Sequence, residues 1–137
     1  VPAGGSLHPA SKDTVDKKMH YVYQDGKTVF KFAVKNMADV SKRILDRNQL
    51  TGDDIKLFIP HQANQRIIDA AAKRCGLADE KVFININRYG NTTAGTIPIA
   101  LDEAVESKRL KKDDILLLAA FGGGFTWGSM LIQWSNK

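Results

Sequence analysis

The stretch Ile55–Gly76, IKLFIPHQANQRIIDAAAKRCG, decides the fold. Ile55–Pro60 is almost wholly apolar and short, the composition of a strand buried on both faces. A helix is expected from Asn64 to Cys75, with Ile67, Ile68, Ala71 and Cys75 on one arc and Gly76 closing it. A two-sided apolar strand that runs straight into an amphipathic helix is the repeating unit of an α/β sheet.

The same alternation continues on both sides. Phe30, Ala33, Val34, Met37, Val40, Ile44 and Leu45 keep helical spacing, which predicts a helix over Phe30–Asn48 that Thr51-Gly52-Asp53-Asp54 ends. Before it, Asp25-Gly26 reads as a hairpin turn pairing Tyr21–Tyr23 with Thr28–Phe30. Residues 1–18 have loop composition and residues 19–137 form the domain. Downstream, Val82–Ile86 reads as a second strand. A third helix follows over Gly95–Arg109, with Ile97, Ala100, Leu101, Ala104 and Val105 in one stripe and Pro98 in its first turn. Ile115–Phe121 reads as a buried strand. The alternation of Met130, Ile132 and Trp134 with Leu131 and Gln133 predicts a last strand turning back antiparallel. The expected fold class is α/β, a mixed, mainly parallel sheet with helices on both faces.

Bulk properties narrow the function. A length of 137 residues with 43% hydrophobic residues suits one domain with a real core. The longest apolar run, Ile115–Phe121, is far shorter than the ~18 residues of a membrane span, and no signal-peptide pattern is present, so a cytoplasmic location and no membrane partner are expected. The opening VPAGGSLHPAS lacks an initiator methionine, and the chain is expected to be a fragment of a longer protein. The net charge of +5 is spread among interleaved acidic residues, which argues against a nucleic-acid stripe and leaves an acidic protein or a phosphorylated cofactor as partner. His8, His20, His61 and Cys75 have no metal-ligand spacing.

Three motifs stand where apolar runs end: IPHQANQRI around His61, RYGNTTAGT around Asn91 and AAFGGGFTWGS over Ala119–Ser129. Open α/β sheets collect ligands at the carboxyl ends of their strands, so the three loops should converge on one site. His61 can act there as donor, acceptor or base, or be a histidine satisfied by a neighbouring loop. Asn91 can donate an amide N–H to a developing oxyanion or cap a helix. Its Asn91-Thr92-Thr93 match to a glycosylation acceptor is a pattern common by chance. The Gly122-Gly123-Gly124 turn can bring backbone amides close to a negative oxygen. It is not a phosphate-binding P-loop, since Thr126-Trp127 stands where Lys-Ser/Thr is required. Cys75 lies on the apolar arc at a helix C-terminus, where a thiolate is disfavoured, and reads as structural. Arg66 and Lys73 share the opposite face of that helix, either a solvated surface or a docking face for an acidic partner.

Taken together, PHQANQRI, NRYGNTTAGTIPIALDEAV and AAFGGGFTWGSMLI resemble the C-terminal half of β-ketoacyl-acyl-carrier-protein synthase III, of the thiolase-like superfamily, from about Tyr21 to Trp134. The resemblance implies a Cys-His-Asn active site in which His61 and Asn91 are catalytic and the nucleophilic cysteine belongs to a missing N-terminal half. It implies condensation of an acyl group from acyl-coenzyme A with malonyl-acyl carrier protein, with loss of carbon dioxide, at the start of fatty acid synthesis. Coenzyme A enters as a substrate thioester, with no cofactor or metal required, and the full-length protein is expected to be a homodimer. By the same resemblance, Gly123 contributes an oxyanion-hole N–H and Phe121 shapes the site. Phe30, Ala63 and Asn64 line the pantetheine channel, while Lys31, Arg66, Lys73 and Arg74 dock the carrier protein. It also implies a central strand between Ile55–Pro60 and Ile115–Phe121 that this chain lacks. Competing readings are a related synthase of secondary metabolism, or a noncatalytic module binding carrier protein or coenzyme A.

Overall fold

A computed structural model describes residues 1–135, so the last two residues of the 19–137 span lie outside the described residues. In order the elements are α1 (Lys12–Asp16), α2 (Gly26–Arg47), β1 (Leu57–Pro60), α3 (Gln65–Arg74), α4 (Ile86–Tyr89), α5 (Thr96–Glu106), β2 (Ile115–Gly122) and β3 (Thr126–Gln133). The sheet order is β1-β2-β3; β1 runs parallel to β2, and β3 returns antiparallel.

Alternation along the strands sorts the core into two layers. Phe58, Leu117, Ala119 and Leu131 face α2 and α3, meeting Ala33, Met37, Ile67, Ile68 and Ala71. Leu57, Ile59, Leu116, Leu118 and Ile132 face the other way, onto Ala100 and Ala104 of α5. Helices therefore cover both faces, as the apolar runs require. On α5 the expected stripe is narrower, because Val105 is exposed. The Ser129 hydroxyl donates to the Val40 carbonyl at 2.9 Å and fastens β3 to α2.

Three expectations are corrected. Asp25-Gly26 starts a helix rather than turning a hairpin: the Asp25 carboxylate accepts the Lys27 and Thr28 amides at 3.1 and 3.2 Å, so α2 begins four residues earlier than Phe30. An aspartate satisfies orphan helix amides as readily as it makes a turn, and Tyr21, Val22 and Tyr23 are exposed, with no face to pair against. Within 1–18, Ser11 caps the short helix α1, and Ala3 is buried with its N–H on the Met19 carbonyl at 3.1 Å. Val82–Ile86 is not a strand. A single parallel bridge, Phe58 with Val82, is followed by the Phe83 N–H on the Phe58 carbonyl at 2.8 Å, after which the chain turns into α4.

The sheet is partial: among the described residues no strand lies between Ile55–Pro60 and Ile115–Phe121, as expected of a chain that lacks its central strand. Leu57, Phe58, Ile59 and Pro60 lie in register with Leu116, Leu117, Leu118 and Ala119, so in this chain β1 and β2 are direct hydrogen-bonded neighbours.

Candidate active site

The carboxyl ends of β1 and β2 open onto a cleft of about 960 Å3 whose lining includes His61, Ala63, Asn91, Thr96, Phe121 and Gly123. The three sequence motifs converge there because each follows one strand end or the loop packed beside it.

His61 is held as a continuation of the parallel ladder, its N–H on the Ala119 carbonyl at 2.7 Å. Its ring is half-buried, and Nδ1 lies 2.6 Å from the Thr96 hydroxyl. Burial strips water from the imidazolium and pushes the proton affinity below the ordinary value of 6.5, so the ring is neutral at pH 7.

Asn91 belongs to an Asx turn: its Oδ1 accepts the Thr93 N–H at 2.9 Å. With the carbonyl end engaged, the amide end presents N–H donors. Neutral imidazole and carboxamide can thus offer two uncharged donors to one oxygen.

A carboxamide holds the two motifs in register. Gln62 is buried, and its Nε2 donates to the carbonyls of Pro60 and Phe83 at 2.8 and 3.1 Å while its Oε1 accepts the Asn85 N–H at 3.0 Å. Where a strand would have continued the ladder past Phe83, this side chain supplies the hydrogen bonds instead. Asn85 Nδ2 donates to Glu103 at 2.9 Å, and the Tyr89 hydroxyl donates to the same carboxylate at 2.6 Å, anchoring the turn before Asn91 onto α5. Gln62, Asn85, Glu103 and Thr96 carried no function in the sequence reading. A glutamine two residues past an apolar strand, beside His61, is the one available signal.

The glycine turn joins β2 to β3. Gly124 has φ +138°, a conformation reserved for glycine. Phe121 stacks on Trp127 with ring centroids 6.4 Å apart and leans on Phe125 at 5.2 Å, and Phe125 reaches Phe32 at 5.4 Å, giving one side of the cleft an aromatic wall.

Other expected residues lie differently. Ala63 lines the cleft, but Phe30 and Asn64 are not among its lining residues. Phe30 packs against the core beneath the Arg66 guanidinium, 5.0 Å from its ring centroid. Asn64 spends its Oδ1 on the Arg66 N–H at 3.0 Å, capping α3. Lys31, Arg66 and Lys73 are exposed, whereas Arg74 pairs with Asp39 at 3.0 Å across α2 and α3. Cys75 lies outside the cleft lining, its thiol pushed up by burial.

A family model described as 3-oxoacyl-[acyl-carrier-protein (ACP)] synthase III C terminal matches residues 45–134. The chain belongs to this family. It is 58% identical over 134 residues to a β-ketoacyl-[acyl-carrier-protein] synthase III of Chlorobium phaeobacteroides, covering 98% of this chain and 41% of that protein. Among solved synthase III structures, that from Thermus thermophilus matches with TM-score 0.79 and 48% identity, over 82% of this chain and 35% of the other. The one from Aquifex aeolicus matches with TM-score 0.82 and 43% identity, over 85% and 38%. The chain thus spans about two fifths of the length of the synthase III relatives it matches, and those structures share its α/β, thiolase-like fold. Among the described residues, no helix is long and apolar enough to cross a membrane.

Proposed function

We propose that this chain, completed by the portion of its relatives that it does not span, is a β-ketoacyl-acyl-carrier-protein synthase III. The span 19–137 is its C-terminal domain, and a cysteine in the remaining portion is the nucleophile. That cysteine takes an acyl group from acyl-coenzyme A, releasing coenzyme A. Malonyl-acyl carrier protein then loses carbon dioxide, and the electron pair of the broken C–C bond passes into the thioester carbonyl as an enolate. The enolate carbon attacks the acyl-cysteine carbonyl and the thiolate leaves, giving the β-ketoacyl carrier protein.

His61 and Asn91 donate N–H to the enolate oxygen. Neutral donors stabilise the developing charge without a buried ion, and losing one such donor costs about 3 kcal/mol, a hundredfold or more in rate. Gly123 N–H receives the oxyanion of the acyl-cysteine, and Phe121 with its aromatic neighbours keeps water from the enolate. The exposed Lys31, Arg66 and Lys73, with the Asp39-paired Arg74 beside them, steer the acidic carrier protein. The enzyme works in the cytoplasm as a homodimer and needs no cofactor beyond its thioester substrates.

The single observation that carries this reading is the convergence, in one cleft, of His61 with an Asn91 whose oxygen is already engaged. The test is condensation of acetyl-coenzyme A with malonyl-acyl carrier protein by the completed protein and by this chain alone. Product is expected only from the completed protein. Carrier-protein binding by the completed protein with no condensation would favour the noncatalytic module instead, and condensation unaffected by His61→Ala plus Asn91→Ala would remove that pair from the reaction.

A further inference from the structure

The Thr96 hydroxyl has one proton and two acceptors within reach: His61 Nδ1 at 2.6 Å and the Thr93 carbonyl at 3.1 Å. Where that proton goes decides what His61 can do, because the hydrogen bond at one ring nitrogen sets the tautomer of the other. We propose that Thr96 is the positioning residue of the site, donating its hydroxyl proton to His61 Nδ1 and so holding the single proton of the neutral ring on Nε2.

Three observations point the same way. A separation of 2.6 Å is shorter than the range of about 2.7–3.2 Å for an N–H donor to oxygen, which disfavours the ring N–H as the donor. The Thr93 carbonyl already accepts the Thr96 backbone N–H at the junction with α5, so it does not depend on the hydroxyl. Thr96 is 3% exposed, which leaves bulk water little access to compete for the proton.

The opposite arrangement has a definite consequence. Were Thr96 to donate to Thr93, Nδ1 would carry the ring proton and Nε2 would present only a lone pair, repelling an enolate oxygen instead of holding it. Thr96 therefore makes His61 a donor rather than a base, acting through the imidazole. That catalytic consequence rests on the enolate reading above; the tautomer itself does not.

The experiment is nitrogen NMR of the completed protein labelled with 15N-histidine at pH 8, with the His61 signals assigned by their absence in His61→Gln. A pyrrole-like Nε2 and a pyridine-like Nδ1 are expected in the wild type. Thr96→Val should give averaged, mixed-tautomer signals, and Thr96→Ser should restore the wild-type pattern. A wild-type Nδ1 that carries the proton overturns the proposal, with no variant needed. As a second readout, malonyl thioester decarboxylation should fall about 10-fold to 100-fold in Thr96→Val, by analogy with the scale for partners that orient a metal-bound histidine, and recover in Thr96→Ser. A tautomer that shifts in Thr96→Val with decarboxylation unchanged would uphold the Thr96 assignment and remove His61 from the enolate instead.

Discussion

The buried Gln62 carboxamide accepts the Asn85 backbone N–H at 3.0 Å, tying the residue next to His61 to the segment that leads to Asn91. Gln62→Leu would strand that N–H and the carbonyls of Pro60 and Phe83 away from water. A buried group left unpaired costs about 1–3 kcal/mol, and urea unfolding of the completed protein should lose at least the lower figure. Stability equal to wild type would show that water enters and replaces the side chain.

Glu103 carries the outer end of the same network. Its carboxyl is held below the ordinary 4.5, chiefly by the Tyr89 hydroxyl and then by Asn85. A carboxylate whose affinity for protons drops on folding stabilises the fold above its unfolded value, and that contribution disappears as pH falls through the folded value. Stability should therefore decline below pH about 4.5 more steeply in wild type than in Glu103→Gln, measured as urea midpoints against pH. Parallel curves would contradict this.

His61 has the same sign for a different reason. Its proton affinity lies below 6.5 because burial disfavours the imidazolium. Between the folded midpoint and 6.5 the unfolded chain binds more protons, so stability falls as pH is lowered through that window and is flat above it. An NMR titration should place the His61 midpoint below 6.5, and a midpoint at or above that value would remove the neutral donor from the site.

Within the glycine turn only one position demands glycine on steric grounds. A Cβ on Gly124 would stand 2.8 Å from Thr126 Cγ2 at a φ of +138°, whereas one on Gly123 would meet no atom within 4 Å. Gly124→Ala should destabilise by about 1–3 kcal/mol and Gly123→Ala by clearly less, in thermal unfolding of the completed protein. Equal losses would mean that the turn is not held as described.

How far these features could be read in advance varied with how local their causes are. LFIP over Leu57–Pro60, the Asn64 cap and Gly76 at φ +67° are local devices, and β1, α3 and the turn after it fell where expected. Asp25-Gly26 misled because the same side chain serves a hairpin turn and a helix cap, and only the exposure of Tyr21–Tyr23 separates them. Val82–Ile86 has strand composition, but its ladder was taken over by a side chain 21 residues away, Gln62 on Phe83, which no short-range pattern encodes. Sheet order is likewise non-local: the direct register of Leu57 with Leu116, which closes the sheet where the chain lacks its central strand, is encoded in neither strand alone. His61 was legible as a polar residue at the end of an apolar strand and Asn91 as an amide beside Gly90, although the strand expected before Asn91 is absent. Thr96 was not, because a threonine at a helix start has an ordinary structural use and its partner lies 35 residues away.

The most direct measurement is decarboxylation of a malonyl thioester by the completed protein with its nucleophilic cysteine replaced, so that no acyl transfer intervenes. If His61 and Asn91 hold the enolate oxygen, His61→Ala and Asn91→Ala should each lower the rate about a hundredfold or more, in protein that remains folded by circular dichroism. Carbon dioxide release at the parent rate in either variant would contradict the account.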